Sequence, residues 1–302
     1  MKRVLLILLI ITSFNSFVFS QNDHVRIPRT KVTMMIPEGY SIMSTITGLQ
    51  KDKDHIITIN EVTGSDFYTS TKYFNESAVE QQGLTVYEYK ETKVDGYSAK
   101  YIISNTEDVH LNSITLVFGD ETFSTMITST HKAHDMELER YLTGILLAVK
   151  YDKRLAVDPF EDVIFTVDTL TTDFKFYRFA IDKYIFTPLG GNNIETQSLV
   201  MIVPGSYDKT LTIEQVSETA INQIKQQGIQ ELTTDQSKSE IDGVEVLLTE
   251  GDAHAGPEHI YYHQVILVKD DLVLIIHGIC NHNDDAMKAD IKRFCESIKI
   301  KS

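Results

Sequence analysis

The feature that most limits what this chain can fold into is a repetition. Gln81-Gln82-Gly83 is followed by Asp95-Gly96 and an alternating apolar stretch. Gln226-Gln227-Gly228 is followed by Asp242-Gly243 and another such stretch. The first glycines lie 145 residues apart and the second 147. Self-similarity at a near-constant offset means one structural unit used twice, so the fold is built from two copies, each close to half of the 302 residues.

The flanks extend the match. Ile213, Val216, Ala220 and Ile224 fall at helical spacing before the second Gln-Gln-Gly, and Val79 stands where Ile224 stands in the first copy. Gly83 and Gly228 then sit where a helix ends in the left-handed conformation. Asp-Gly between extended segments predicts a tight hairpin. Beyond it Tyr97, Ala99 and Tyr101, and Val244, Val246 and Leu248, alternate with the period of a strand. A second hairpin follows in each copy, Ile114–Phe118 with Phe123–Thr128 and Ile260–Val268 with Leu272–Ile279. A closing helix carries Leu138, Leu142, Ile145 and Leu146, or Met287, Ile291, Phe294 and Ile298, on one stripe, with Asp135 and Asp284 at its start. The openings match more loosely. Val32–Ile36, a Pro37-Glu38-Gly39 turn and Tyr40 lead to Ile56–Asn60; Phe174–Ile181, an Asp182-Lys183 turn and Tyr184–Phe186 lead to Leu199–Val203. Each copy reads β-β-β-α-β-β-β-β-α.

The expected class is therefore α+β, with two tandem domains. Each is an antiparallel sheet packed with a mid-domain helix and a C-terminal helix as a layered sandwich. The expected limits are 21–150 and 171–302, joined at 151–170 by a short acidic linker in which Val163–Val167 forms an added edge strand. Residues 1–20 stand apart. Lys2 and Arg3 precede the apolar run Val4–Ile11, and Val18-Phe19-Ser20 suits cleavage between Ser20 and Gln21, the pattern of a secretory signal peptide. No later stretch is long and apolar enough to predict a stable membrane span, so the expected location is secreted or periplasmic. Removing these residues, which hold two basic side chains and no acid, takes the formal charge from −15 to −17. That balance argues against nucleic acid and anionic lipid as partners. Cys280 and Cys295 enter a disulfide-permissive compartment. A bridge between strand end and helix would contribute about 3 kcal/mol; the alternative is two separate buried thiols.

The order of elements resembles the PsbP-like fold, named for an extrinsic subunit of photosystem II and shared with DcrB-type exported bacterial proteins. The residues that carry the resemblance are Ile36-Pro37-Glu38-Gly39-Tyr40, the helix ending in Gln-Gln-Gly, the Asp-Gly hairpin and the closing helix. The second copy lacks the opening proline. The resemblance implies an adaptor, assembly factor or small binding module without catalysis, and fold likeness alone assigns no function.

Motifs of chemistry are sparse. The sequence has no Gly-x-Ser-x-Gly elbow, phosphate loop, His-Glu-x-x-His or Cys-x-x-Cys, and no cofactor is indicated. The densest candidate is His254, His259 and His263. On a strand, His259, Tyr261 and His263 share a face, and two imidazoles with Glu258 or His254 suit zinc or copper. His131 and His134 form a weaker pair at the first closing helix. Phe174, Phe176, Tyr177, Phe179, Tyr184 and Phe186 suit either strand core or the wall of a ligand groove. Together these features predict a secreted or periplasmic, non-enzymatic binding protein with an envelope or secreted protein partner. The alternative is a small-ligand or transition-metal binder using the aromatic strands or the histidine segment. The oligomeric state is left open.

Overall fold

The computed structural model describes residues 24–61, 65–107, 110–180, 182–190, 198–241 and 244–301. The expected signal peptide with its cleavage point, and the Asp242-Gly243 turn, lie outside the described residues. Two seven-stranded antiparallel sheets dominate, and they have the same topology.

In the first repeat the order is β3-β4-β5-β9-β8-β7-β6, from Ser41–Ile42 (β3), Gly48–Asp52 (β4), His55–Glu61 (β5), Val86–Val94 (β6), Tyr97–Asn105 (β7), Leu111–Asp120 (β8) and Phe123–Lys132 (β9). Two short helices, Phe67–Ser70 (α1) and Glu76–Glu80 (α2), occupy the middle, and Met136–Leu147 (α3) closes the unit. In the second repeat the order is β12-β13-β14-β18-β17-β16-β15. Its strands are Phe174–Ala180 (β12), Lys183–Pro188 (β13), Leu199–Ser206 (β14), Ile229–Ile241 (β15), Val244–Ala255 (β16), Glu258–Lys269 (β17) and Leu272–Asn281 (β18). Here the middle helix is one long element, Ile213–Gln226 (α4), and Asp285–Glu296 (α5) closes.

Local chemistry explains these elements. Gly83 and Gly228 have φ of +84° and +105°, and their amides reach back to Glu80 and Lys225 as helix stops. Asp95 and Gly96 both have positive φ, the geometry of a two-residue hairpin turn. Asp135 and Asp284 cap α3 and α5 by accepting from the amides of Leu138 and Met287. Thr212 and Gln215 form a reciprocal capping box on α4. The first middle helix is only a fragment because Val79 is alone: α2 buries no residue, so nothing holds a longer helix to the sheet.

The second repeat has three layers. Ile260, Tyr262, Ile266 and Val268 of β17 face α4, and Tyr261, Val265 and Leu267 face α5. From Ile260 to Val268 this strand is buried on both sides, and that stretch is correspondingly apolar apart from His263 and Gln264.

Two small sheets frame the repeats and change the expected reading of the openings. Val32–Met34 (β2) pairs with Val25–Arg26 (β1) and with Lys150–Tyr151 (β10), just after α3. Phe165–Thr166 (β11) pairs with Lys299–Ile300 (β19), just after α5. The Val163–Val167 segment therefore does not widen either large sheet. It is the counterpart of β2, placed by pairing with the end of its own repeat, and β12 is the counterpart of β3. Between the repeats, the buried Arg29 guanidinium donates to the carbonyls of Met43, Ser44 and Ile46 and to Tyr184 Oη. Thr47 N donates to Asp182 Oδ1, and Arg26 pairs with Glu161.

Candidate functional site

Register makes the two repeats comparable residue by residue. Tyr101 of β7 faces Leu116 of β8, which faces Ile127 of β9; Leu248 of β16 faces Val265 of β17, which faces Ile276 of β18. On the face covered by the closing helix, four positions change in the same sense. Tyr97, Tyr101, Phe118 and Tyr151 of the first repeat are replaced by Val244, Leu248, Leu267 and Ile300 in the second. The first repeat fills this space with its own rings: Tyr97 and Phe118 pack edge-on to Tyr151, 6.0 and 5.7 Å between centroids. The smaller aliphatic side chains of the second repeat leave a groove of 410 Å³ between the sheet and the end of α5. Its floor is Val244, Val246, Leu248, Val265 and Leu267, and Ile298 and Ile300 form a wall.

One end of the groove is polar, again by replacement. Glu250, His263 and Lys292 stand where the first repeat has Ile103, Ile114 and Thr143. Lys292 Nζ donates to Glu250 Oε2 at 2.9 Å, and His263 Nδ1 lies 3.4 Å from Glu250 Oε1 and 3.1 Å from Tyr261 Oη. Burial pushes the His263 imidazole down to about 4, against the nearby Glu250 carboxylate and with the help of Lys292. At neutral pH the groove therefore ends in a neutral imidazole beside an ion pair. Around the mouth, Ser237, Ser239, Lys269, Glu296 and Lys299 form a polar rim.

The expected metal set is only partly brought together. His254 and His259 are cross-strand partners with stacked rings, 5.0 Å between centroids. His263 is four residues along β17 from His259, about 13 Å at strand rise, and buried inside the groove. Sharing a face is not sharing a place, so one ion cannot reach all three. Glu258 alternates to the opposite face. The residues that do approach His259 are Asp252 and His282, neither of which the sequence reading singled out.

The other candidates resolve more simply. Cys280 and Cys295 are free thiols buried in the same cluster under α5, the second of the two readings the sequence allowed. Burial pushes Cys280 up to about 12 and Cys295 up as well, so neither is a thiolate nucleophile. His131 is fully buried beneath α3 beside Glu139 Oε2 at 3.3 Å, while His134 is exposed in a turn with φ of +71°. Phe174, Tyr184 and Phe186 are fully buried core, with Phe174 and Phe186 packed on Phe294. Phe176, Tyr177 and Phe179 instead line a 340 Å³ cavity between the repeats, with Arg29 and Glu61. The signal for the groove was present in the sequence as the aromatic-to-aliphatic exchange between the copies. It becomes readable only once register says which residues correspond.

No family model matches the chain, and no curated protein matches it. Among solved structures, it is similar to the cyanobacterial PsbP of Synechocystis sp. PCC 6803, at 12% identity and a TM-score of 0.32, over 45% of this chain and 91% of that one. It is similar to the immunity protein TplEi of the type VI secretion system of Pseudomonas aeruginosa, complexed with an "L" peptide, at 8% identity and a TM-score of 0.33, over 90% and 96% of the two chains. It is also similar to a chain of the Tle4–Tli4 complex, at 8% identity and a TM-score of 0.32, over 92% and 97%.

Proposed function

We propose that this chain is an exported, non-enzymatic binding protein, and that the groove of its second repeat receives aromatic side chains of an envelope or secreted protein partner. The observation that carries this reading is the exchange of Tyr97, Tyr101, Phe118 and Tyr151 for Val244, Leu248, Leu267 and Ile300. The first repeat uses aromatic rings to fill the same space, so rings from a partner fit the second. An apolar floor inside a polar rim is the anatomy of an anchor pocket at a protein interface. Export is supported by the pattern of residues 1–20.

Filling the groove tests this without breaking the fold. Leu248→Tyr with Leu267→Phe installs the first repeat's own side chains. A photo-crosslinking residue at Ser239 or Lys299, on the rim, should give one protein adduct in intact cells. The filled variant should lose it while keeping its melting temperature. An adduct that survives filling, or that forms equally from Glu218 on the exposed side of α4, would show that the groove is not the contact. The Glu250–His263–Lys292 end favours a second reading, a small amphipathic molecule with its polar end there. Native mass spectrometry of the purified protein separates the two: a bound small mass lost on filling supports the ligand.

A further inference from the structure

Away from the groove, one side-chain cluster in the second repeat has the composition and spacing of a metal centre. Asp252 of β16, His259 of β17 and His282, which follows β18, each bring one ligand atom within 4.8 Å of the others. Strand register produces this. Asp252 is the cross-strand partner of Tyr261, and Tyr261 of Cys280. His259 lies two residues before Tyr261 and His282 two after Cys280, so all three side chains share the face that carries α5. The amide of His282 donates to the carbonyl of His259 at 3.1 Å, which extends the ladder by one step and holds the two residues side by side. His282 Nδ1 donates to Asp252 Oδ1 at 2.6 Å. The rings of His259 and His282 stack at 3.9 Å and 16°. His254 stacks on the other side of His259, with Glu231 Oε2 3.4 Å from its Nδ1.

The scaffold does not require this set. The corresponding positions of the first repeat are Asn105, His110 and Ala133, one imidazole and no carboxylate, and the strands pair there in the same register. Nor does the core require it. Asp252 and His259 are exposed and His282 is half-buried, so an ion has free entry and room for water. Two imidazoles and one carboxylate are the donor set of borderline divalent transition metals, whereas calcium and magnesium take oxygen donors almost throughout. Four donors around zinc stand about 3.3 Å apart at ordinary bond lengths. The three ligand atoms already lie within 4.8 Å of one another, and the ladder holds the backbone of His259 and His282 side by side.

We propose that Asp252, His259 and His282 form a divalent transition-metal site of the zinc class, with water in the fourth position and His254 as the nearest further donor. The proposal is independent of the groove. Untagged protein stripped with chelator, reloaded with Zn²⁺ and dialysed should retain about one equivalent, and added Zn²⁺ should raise its melting temperature. His259→Ala and His282→Ala should each weaken Zn²⁺ binding at least tenfold, since even partners one shell further out typically matter by 10–100-fold. His134→Ala, an exposed histidine of the first repeat, should bind as the unaltered chain does. All three side chains replaced are exposed or half-buried, so the metal-free variants should melt where the metal-free parent melts, which separates lost binding from lost folding. Less than one-tenth of an equivalent in the reloaded parent, or equal retention by His259→Ala and His282→Ala, would overturn the proposal.

Discussion

Acidification from pH 7.5 to 4.5 should destabilise the second repeat by about 5 kcal/mol through two histidines. His277 is 4% exposed, with Nδ1 2.8 Å from Tyr262 Oη. Burial, helped by the Lys183 charge, pushes its imidazole down to about 3. His263, 3% exposed, is pushed down to about 4. In the unfolded chain both titrate near the usual value of about 6.5. Between the folded and unfolded values the unfolded chain holds more protons, so stability falls as the pH drops. The loss begins near pH 6.5 and levels off below about 4 for His263 and about 3 for His277. At pH 4.5 each residue has lost nearly two pH units of linkage, about 2.6 kcal/mol apiece. A typical domain has only about 5–15 kcal/mol in total. Hydrogen exchange of peptides covering β17 and β18, with urea unfolding followed by circular dichroism at pH 7.5, 5.5 and 4.5, reads the effect. His277→Gln and His263→Gln should each remove about half of the histidine-linked pH dependence. A midpoint that does not move between pH 7.5 and 4.5, or variants that keep the full slope, would refute the reasoning.

Three further outcomes are expected. Gly83→Val and Gly228→Val should each lower the melting temperature at a cost of about 1–2 kcal/mol, because both glycines have positive φ while a Cβ at either would meet nothing within 4 Å; unchanged melting in both would show that neither is a helix stop. Gly278→Ala places a Cβ 2.4 Å from Ile291 Cγ2 under α5 and should cost about 1–3 kcal/mol, part of it recovered by Ile291→Leu, which is unbranched at Cβ and so lacks that methyl; strictly additive effects would rule out that contact. Cys280 and Cys295 should resist a thiol reagent in the native protein and both react after unfolding without reductant; fast native labelling, or a mass showing a bridge, would contradict two buried thiols.

Much of the scaffold was legible because its signals are local. The Gln-Gln-Gly and Asp95-Gly96 elements report backbone conformation directly, and the stripes Leu142–Ile145–Leu146 and Ile291–Phe294 report which side of a helix is buried. The openings were less legible. β2 and β11 are three- and two-residue strands, and the partner that ties each to the end of its own repeat arrives more than 100 residues later, so nothing in their own sequence marks that pairing. The histidine segment shows the same limit in the opposite direction. Periodicity put His259 and His263 on one face, yet His259 keeps company with His282 and Asp252, and His263 with Glu250 and Lys292.

By itself, the sequence determined where the middle helices stop at Gly83 and Gly228, where Asp95-Gly96 turns a hairpin, and which stripe of each closing helix faces a core, since each of these depends on neighbours within one or two turns of chain. Only the tertiary structure decided that four aromatic-to-aliphatic exchanges fall beside one another to open a groove, and that Asp252 of β16, His259 of β17 and His282, just after β18, converge at the far end of the same sheet. The groove floor and the cluster are consequences of cross-strand register, in which residues about 7 to 23 positions apart become neighbours at about 5 Å, and a shift of one residue would send those side chains to the opposite face.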